Sequence, residues 1–381
     1  MHCDFIGRWT SGSTRNGSLA KSNWLNEFAI FLYGESNLNT LLKPRQTLLA
    51  LFISGLSIFV LTSAYAADAP QVTVSNYVRA ESDIQMKGYI ESYDSFGKFH
   101  HSRKPYDVEN QITVRGNRDT LYSFGVWDLT SPVTITLPET GGRYQSLMVV
   151  NQDHSIWSFY GPRTGTLTEE KVGTRYVLLT IRTFMDPNDE QDMKEAYRLQ
   201  DAVVFEQADI GQFDVPDWNK EEVEQMRNTI NMVGAMVTDS SRFFGKKEEL
   251  DPVYWLLGAA LGWGGLPAEA ATYANVVPEK NDGKTPYTLT VTDVPVYGFW
   301  SVTLYDDKGL MPVNKYNAYS FNNVTAKKAK DGSITIHFGG DPKADNFLPI
   351  APGWNYIVRM YQPGPEILKG TWTFPDPKEV R

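Results

Sequence analysis

The chain has 381 residues, of which 41% are hydrophobic and 21% charged, with a formal net charge of −9. That is enough length for two domains and a sizeable core, and too apolar a composition for low-complexity disorder. The acidic balance excludes a protein organised around nucleic acid, which needs a concentrated basic face.

Aromatic residues make up 13% of the chain, beside 30 Gly and 21 Pro, a mixture that favours sheets joined by turns. Near the start, Lys43-Pro44-Arg45 precedes an apolar run from Thr47 to Leu61, and Ala64-Tyr65-Ala66 places small residues at both positions a signal peptidase requires. These features predict a bacterial-type signal peptide cleaved after Ala66. A membrane anchor is the weaker reading, since no basic stop-transfer flank follows. The basic flank lies far from Met1, so residues 1–42 read as an over-extended translation start. Cleavage would remove Cys3, the single cysteine, leaving neither disulfides nor thiolate ligands nor a cysteine nucleophile. It would also remove five Lys/Arg and three Asp/Glu, leaving 31 basic and 42 acidic residues and a charge of −11.

From Ala67 onward, Ser75–Tyr93 reads as a helix with Val78, Ile84, Met86 and Ile90 on a loose apolar face. His100 and His101 follow, beside Arg103 and Lys104. Adjacent histidines diverge on an extended chain and make a poor metal pair, so a solvated loop is expected there. The stretch Arg115–Asp128 concentrates two arginines, Asn117, Asp119 and Tyr122 at a strand entrance. Such residues on a rigid sheet edge either carry binding or catalysis or staple a turn, and the sequence leaves both open.

Strands are predicted at Gln111–Val114, Leu121–Asp128, Val133–Leu137, Tyr144–Asn151 and Arg175–Thr183, separated by turn chemistry such as Ser131-Pro132 and Pro138–Gly142. This spacing implies an antiparallel sandwich or open barrel. Asp153 and His154 end one strand as a candidate base with its orienting acid, or as metal ligands joined by distant partners such as Asp119 or His337. No HExxH motif is present. Helical periodicity then covers Asp189–Gln207, Trp218–Met236, Pro252–Leu261 and Pro267–Asn275. Beyond the Asn281-Asp282-Gly283 turn, strands resume at Tyr287–Thr292, Gly298–Tyr305, Ile334–Phe338 and Asn355–Tyr361. The expected fold is mainly β with an α-helical insert: two antiparallel sandwich- or jelly-roll-like modules, 67–210 and 284–381, bridged by helices in 211–283.

Six ordered motifs carry a family resemblance: Asn117–Ser123 (NRDTLYS), Gly142–Tyr144 (GRY), Gly298–Tyr305 (GFWSVTLY), Asp331–Ser333 (DGS), Asn346–Pro349 (NFLP) and Arg359–Pro363 (RMYQP). From Ile90 to Pro377 the chain resembles a bacterial two-module family, domain of unknown function 1254 followed by domain of unknown function 1214. Phe347 departs from it, standing where the family often has Trp. The resemblance implies β-rich architecture and an envelope or secreted setting, and supplies no catalytic residue.

Two classes of function follow. A periplasmic hydrolase, metal-assisted or not, would use Asp119, Asp153, His154 and Arg143 converging at strand ends. Against it, no Gly-x-Ser-x-Gly elbow occurs. A binding protein would instead hold a small organic or sugar-like ligand near the module interface, with Asn117 and Tyr122 beside a groove of Trp157, Tyr160, Tyr316 and Tyr319. Expected partners are a small molecule or glycan and no nucleic acid, with membrane contact only through the signal peptide. Cofactor, metal content and self-association stay undetermined at this level.

Overall fold

The strands of the amino-terminal half form two facing sheets. The computed structural model describes residues 69–111, 114–237, 239 and 241–380; the predicted signal segment lies outside them. One sheet has the order β1-β2-β7-β4-β5, built from β1 (His100–His101), β2 (Thr120–Asp128), β4 (Gln145–Asn151), β5 (Ile156–Tyr160) and β7 (Tyr176–Phe184). The other has the order β6-β3-β8, from β3 (Val133–Leu137), β6 (Arg163–Leu167) and β8 (Val204–Gln207). All these pairings are antiparallel. Between the sheets, Trp127, Leu147, Val149, Val177, Leu179 and Ile181 pack on Val133, Ile135 and Leu137.

The five-stranded sheet is covered on its second face too, so β4 and β7 are buried at every position. The cover is helical. Among α1 (Tyr77–Tyr93), α2 (Glu169–Val172), α3 (Glu190–Asp201), α4 (Lys220–Gly234) and α5 (Pro252–Gly262), the first and last two share one core with Phe124, Val126 and Met148 of the sheet. Local chemistry starts the later helices. The Asn219 side chain accepts from the amides of Glu221 and Glu222, and Asp251 accepts from those of Val253 and Tyr254, with Pro252 in the first turn. Helix α1 buries Glu81, Ser82 and Asp83; Arg227 pairs with Glu81 at 2.8 Å, and Trp263 Nε1 donates to Ser82 Oγ at 2.9 Å.

A second sandwich closes the chain. Its sheets run β12-β11-β15-β9 and β14-β13-β10-β16, from β9 (Ala271–Val276), β10 (Tyr287–Val291), β11 (Trp300–Tyr305), β12 (Ser320–Asn322), β13 (Ile334–Phe338), β14 (Phe347–Leu348), β15 (Asn355–Tyr361) and β16 (Lys378–Glu379). Trp300, Val302, Leu304, Tyr356 and Val358 meet Leu289, Ile336 and Phe338 across its core. The protein is therefore mainly β, with a helical insert between two sets of strands.

Three expectations are corrected. The helix read over Asp189–Gln207 ends at Asp201, and Val204–Gln207 pairs with β3 as β8. The predicted helix Pro267–Asn275 makes one turn, where the amides of Ala270 and Ala271 donate to Pro267 O, and then extends as β9 along the edge of β15. Its alanine-rich sequence has helical propensity, but pairing six residues with β15 outweighs it. His100 and His101 do not lie in a solvated loop; they pair with Phe124 and Ser123 as β1. The predicted strand Gln111–Val114 falls partly outside the described residues, and its two described ends are not strand.

Gly125 in β2 is fixed by space. A Cβ there would stand 2.2 Å from Lys98 O and 2.7 Å from the Trp127 ring. Gly125→Ala is expected to cost about 2 kcal/mol by overpacking, read as a lower urea midpoint with unchanged slope.

Candidate ligand site

The strand entrance before β2 forms a buried strap between the two sandwiches. Asn117 Nδ2 donates to Thr120 Oγ1 at 3.1 Å and to the hydroxyls of Tyr122 and Tyr361 at 3.2 Å each. Its Oδ1 accepts from the Asp119 amide, and Ser301 Oγ of β11 donates to Asp119 Oδ2 at 2.6 Å. The Arg115 guanidinium bonds Asn355 Oδ1, and its amide donates to Gly309 O at 2.7 Å. Arg359 of β15 answers from the other side, donating to Thr303 Oγ1 at 3.0 Å and to Arg115 O and Tyr305 Oη at 2.8 Å each. Arg118 donates to Tyr106 O and lies 5.2 Å over the Tyr319 ring.

Next to this strap the sheet register builds a polar patch on the helix-covered face. Tyr122 stands opposite Arg182, Arg182 opposite Ser146, and Ser146 opposite Tyr160, a row across β2, β7, β4 and β5. One pair further along come Phe124, Thr180, Met148 and Ser158. Arg182 is fully buried, 5.3 Å from the Tyr122 ring centroid and 3.8 Å from Met148 Sδ. The hydroxyls of Ser146, Ser158 and Thr180 are buried with no hydrogen-bond partner among the described residues. Tyr122, Ser158 and Tyr160 at the margin of the patch are only half-buried. Tyr144 flanks it, 6.1 Å from Tyr160 and 5.4 Å from Tyr361 between ring centroids. Burial pushes the Tyr160 phenol well above its usual range, as do Tyr144 and Glu269, with Arg182 opposing. The patch offers hydroxyl donors, a guanidinium and aromatic faces, the groups that hold an oxygen-rich small molecule.

The predicted hydrolase residues divide between the two ends of this sheet. Asp119 and Arg143 share one end, where the Met185 amide donates to Asp119 O and the Phe184 amide to Tyr144 O. Arg143 is bound there to Asp192 at 2.9 Å and to Phe184 O at 2.9 Å. Asp153 and His154 lie past the far end of β4, roughly 20 Å away at 3.3 Å per residue. Asp153 pairs with Arg79 and Lys247. His154 is fully buried, its Nε2 accepting from the Gly264 amide at 2.9 Å, and burial holds its pKa down at about 3. The four therefore do not converge. His337 is likewise apart, its Nδ1 bonded to Asp345 O at 2.8 Å. Among the described residues, no group of three His, Cys, Asp or Glu side chains is placed to hold a metal ion.

The expected aromatic groove also dissolves. Trp157 packs on the opposite face of the sheet, with the inter-sheet core. Tyr319 is buried, and Tyr316, 40% exposed, leans on Phe347 at 5.2 Å. Only Tyr160 of that set joins the Tyr122 row. The structure adds Arg182, Ser146, Ser158 and Thr180, which sequence reasoning missed. A signal for Arg182 was present: a lone charge inside the apolar run Tyr176–Phe184 (YVLLTIRTF). A second short polar pair, His101 Nδ1 to Ser123 Oγ at 2.7 Å, resembles a nucleophile with its base. Ser123 is fully buried and also accepts from Gln200 Nε2 at 3.1 Å, so the pair is a cross-strand staple.

Residues 96–170 match the family described as protein of unknown function DUF1254, and residues 270–365 the family described as protein of unknown function DUF1214. No curated protein matches the chain in sequence. A crystal structure of the VPA0106 protein from Vibrio parahaemolyticus is similar, with a TM-score of 0.60 at 20% identity over 81% of this chain and 98% of that one. A putative uncharacterized protein from Burkholderia cenocepacia aligns with a TM-score of 0.41 at 14% identity, over 83% of this chain and 91% of its own. The first of these shows a shared fold.

Proposed function

We propose that this chain, which carries a DUF1254 module followed by a DUF1214 module, is an exported protein that binds a small organic or sugar-like ligand on the helix-covered face of its five-stranded sheet, beside the junction with the carboxy-terminal strands. One observation carries the reading. Three buried hydroxyls, of Ser146, Ser158 and Thr180, lack partners among the described residues on a face bordered by the half-buried Tyr122 and Tyr160. A buried hydroxyl without a hydrogen bond costs about 1–3 kcal/mol, and a ligand bearing several oxygens would recover that cost at each one. The neighbouring rings supply apolar area for the rest of such a molecule. Export is supported by the basic flank at Lys43, the apolar run and the Ala64-Tyr65-Ala66 site.

The test is thermal melting of the chain from Ala67 onward, which holds every described element, against a library of sugars and small organic molecules. A ligand at 100 times its Kd should stabilise by about 2.7 kcal/mol. Ser146→Trp, which fills the patch, should abolish the shift. A library that shifts neither protein, or both equally, would remove the reading. Mass analysis of the exported protein is expected to give Ala67 as its first residue.

A further inference from the structure

We infer that strand β6 is a self-association edge, where two copies of this chain pair antiparallel through Thr164, Gly165 and Thr166 about a two-fold axis at Gly165. The surface belongs to the three-stranded sheet and is separate from the ligand face.

Strand β6 is the outer strand of the order β6-β3-β8, so its backbone is paired on one side only. One contact fixes which groups face outward. Lys171, which belongs to α2 and not to the sheet, donates its Nζ to Thr166 O at 3.2 Å. That carbonyl therefore faces away from β3. Backbone groups alternate along an antiparallel strand, so Arg163, Gly165 and Leu167 bond β3 while the amides and carbonyls of Thr164 and Thr166 point outward. Edges are commonly closed by a proline, a charge or a bulge. From Thr164 to Thr166 the register with β3 is continuous, with neither proline nor charge. The outer strands β1, β12, β14 and β16 are only two or three residues long, too short to offer the same ladder.

A second copy fits this edge because Thr164-Gly165-Thr166 reads the same in both directions. Turned about Gly165, Thr164 of each copy meets Thr166 of the other, and every outward amide finds an outward carbonyl. The Lys171 bond to Thr166 O is exchanged for one from an amide. On the solvent face, Thr134 and Thr166 already meet through their hydroxyls at 2.9 Å, and Thr136 and Thr164 at 3.0 Å. Pairing continues both contacts into longer threonine rows across the two copies. Charge agrees as well. The exposed Arg163 lies opposite Leu167 of the other copy, next to the exposed Glu169 and Glu170 that follow it, and the two-fold axis makes this contact twice.

Gly165 provides the test. A Cβ there meets no atom within 4 Å, so a side chain can be added without disturbing the fold. In the paired register the two copies of residue 165 face each other with about 4.5 Å between Cα atoms. The chain from Ala67 onward contains no cysteine. Gly165→Cys, oxidised with glutathione disulfide, should therefore run as a linked dimer on a non-reducing gel, while Thr290→Cys, at an exposed position of β10, should not. Sedimentation of the parent from about 10 μM to about 500 μM should show a monomer that passes to a dimer as concentration rises. Gly165→Lys sets two ammoniums against each other and should stay monomeric over the same range. A parent that remains a monomer throughout, with Gly165→Cys linking no faster than Thr290→Cys, would overturn the proposal and leave the β6 edge to an extended segment of another protein or to none. A dimer that persists undiminished in Gly165→Lys would place self-association on another face, and would overturn it equally.

Discussion

Arg359→Ala is expected to lower the stability of the folded protein by about 4 kcal/mol, with a melting temperature roughly 6 °C lower. Arg359 sits in the middle of β15 with no exposed surface, and donates to Thr303 Oγ1, Arg115 O, Gly116 O and Tyr305 Oη. Truncation would leave these acceptors short of a donor in a place water does not reach, and would open a cavity beneath Tyr305. The same contacts tie the strap at Arg115 and Gly116 to the carboxy-terminal sandwich, so the loss should loosen the junction as well as β15. Arg359→Lys should fall between parent and alanine, since an ammonium can satisfy some of these acceptors from one point but not all of them in the plane the guanidinium spans. Urea unfolding measures the effect. A change below about 1 kcal/mol would mean that the desolvation of Arg359 cancels its bonds.

Where neighbouring residues decided the structure, the sequence was readable. Val133–Leu137, Ile334–Phe338 and Asn355–Tyr361 are strands with the predicted bounds, because each is a short β-branched or aromatic run closed by turn residues. Helix α5 begins at Pro252 as expected, set by Asp251 and Pro252. The failures come from distant partners. Pro267–Asn275 follows local propensity on paper, yet the free edge of β15 claims it as β9. The candidate site failed for a related reason. Asp119 precedes β2 and His154 follows β4, and both strands pair antiparallel with β7, so they run in the same direction. The start of one and the end of the other must lie at opposite ends of the sheet. The strand order β2-β7-β4 settles that separation, and no local pattern reveals it. Arg182 and Arg359 were half-legible, each a charge inside an apolar strand. What the residues alone could not say is that pairing sets Ser146 and Tyr122 on either side of Arg182.

Acidification from pH 6.5 to 4 is expected to remove about 3 kcal/mol of stability through His154 alone. The imidazole is enclosed by Phe244 and Trp263, and burial holds its pKa at about 3 against 6.5 when free. The folded state therefore keeps it neutral over a range in which the unfolded chain takes up a proton. A folded pKa below the unfolded one gives stability that is complete above pH 6.5 and drains away as pH falls toward 3. The Gly264 amide adds to this. It donates to Nε2, so the proton of the neutral ring lies on Nδ1, and protonation at Nε2 would break that bond. Other groups act differently. Asp128, whose burial alone would raise it, is held at about 2 by the combined bonds from Arg175, Thr130 and the Gln212 amide, and contributes stability that is lost only below 3.8. The Asp83 carboxyl, raised by burial, has the opposite sign and gains stability on acidification. His101, lowered by burial and by Arg103, adds to the loss in the same direction as His154. His154→Gln isolates the one term, since its amide oxygen can still accept from Gly264 without titrating. The parent's stability should fall away from that of His154→Gln as pH drops below 6.5, by more than a kilocalorie for each pH unit. Parallel profiles for the two proteins would show that the buried ring takes up its proton without cost, and that the pocket between Phe244 and Trp263 admits water or opens before the rest of the fold.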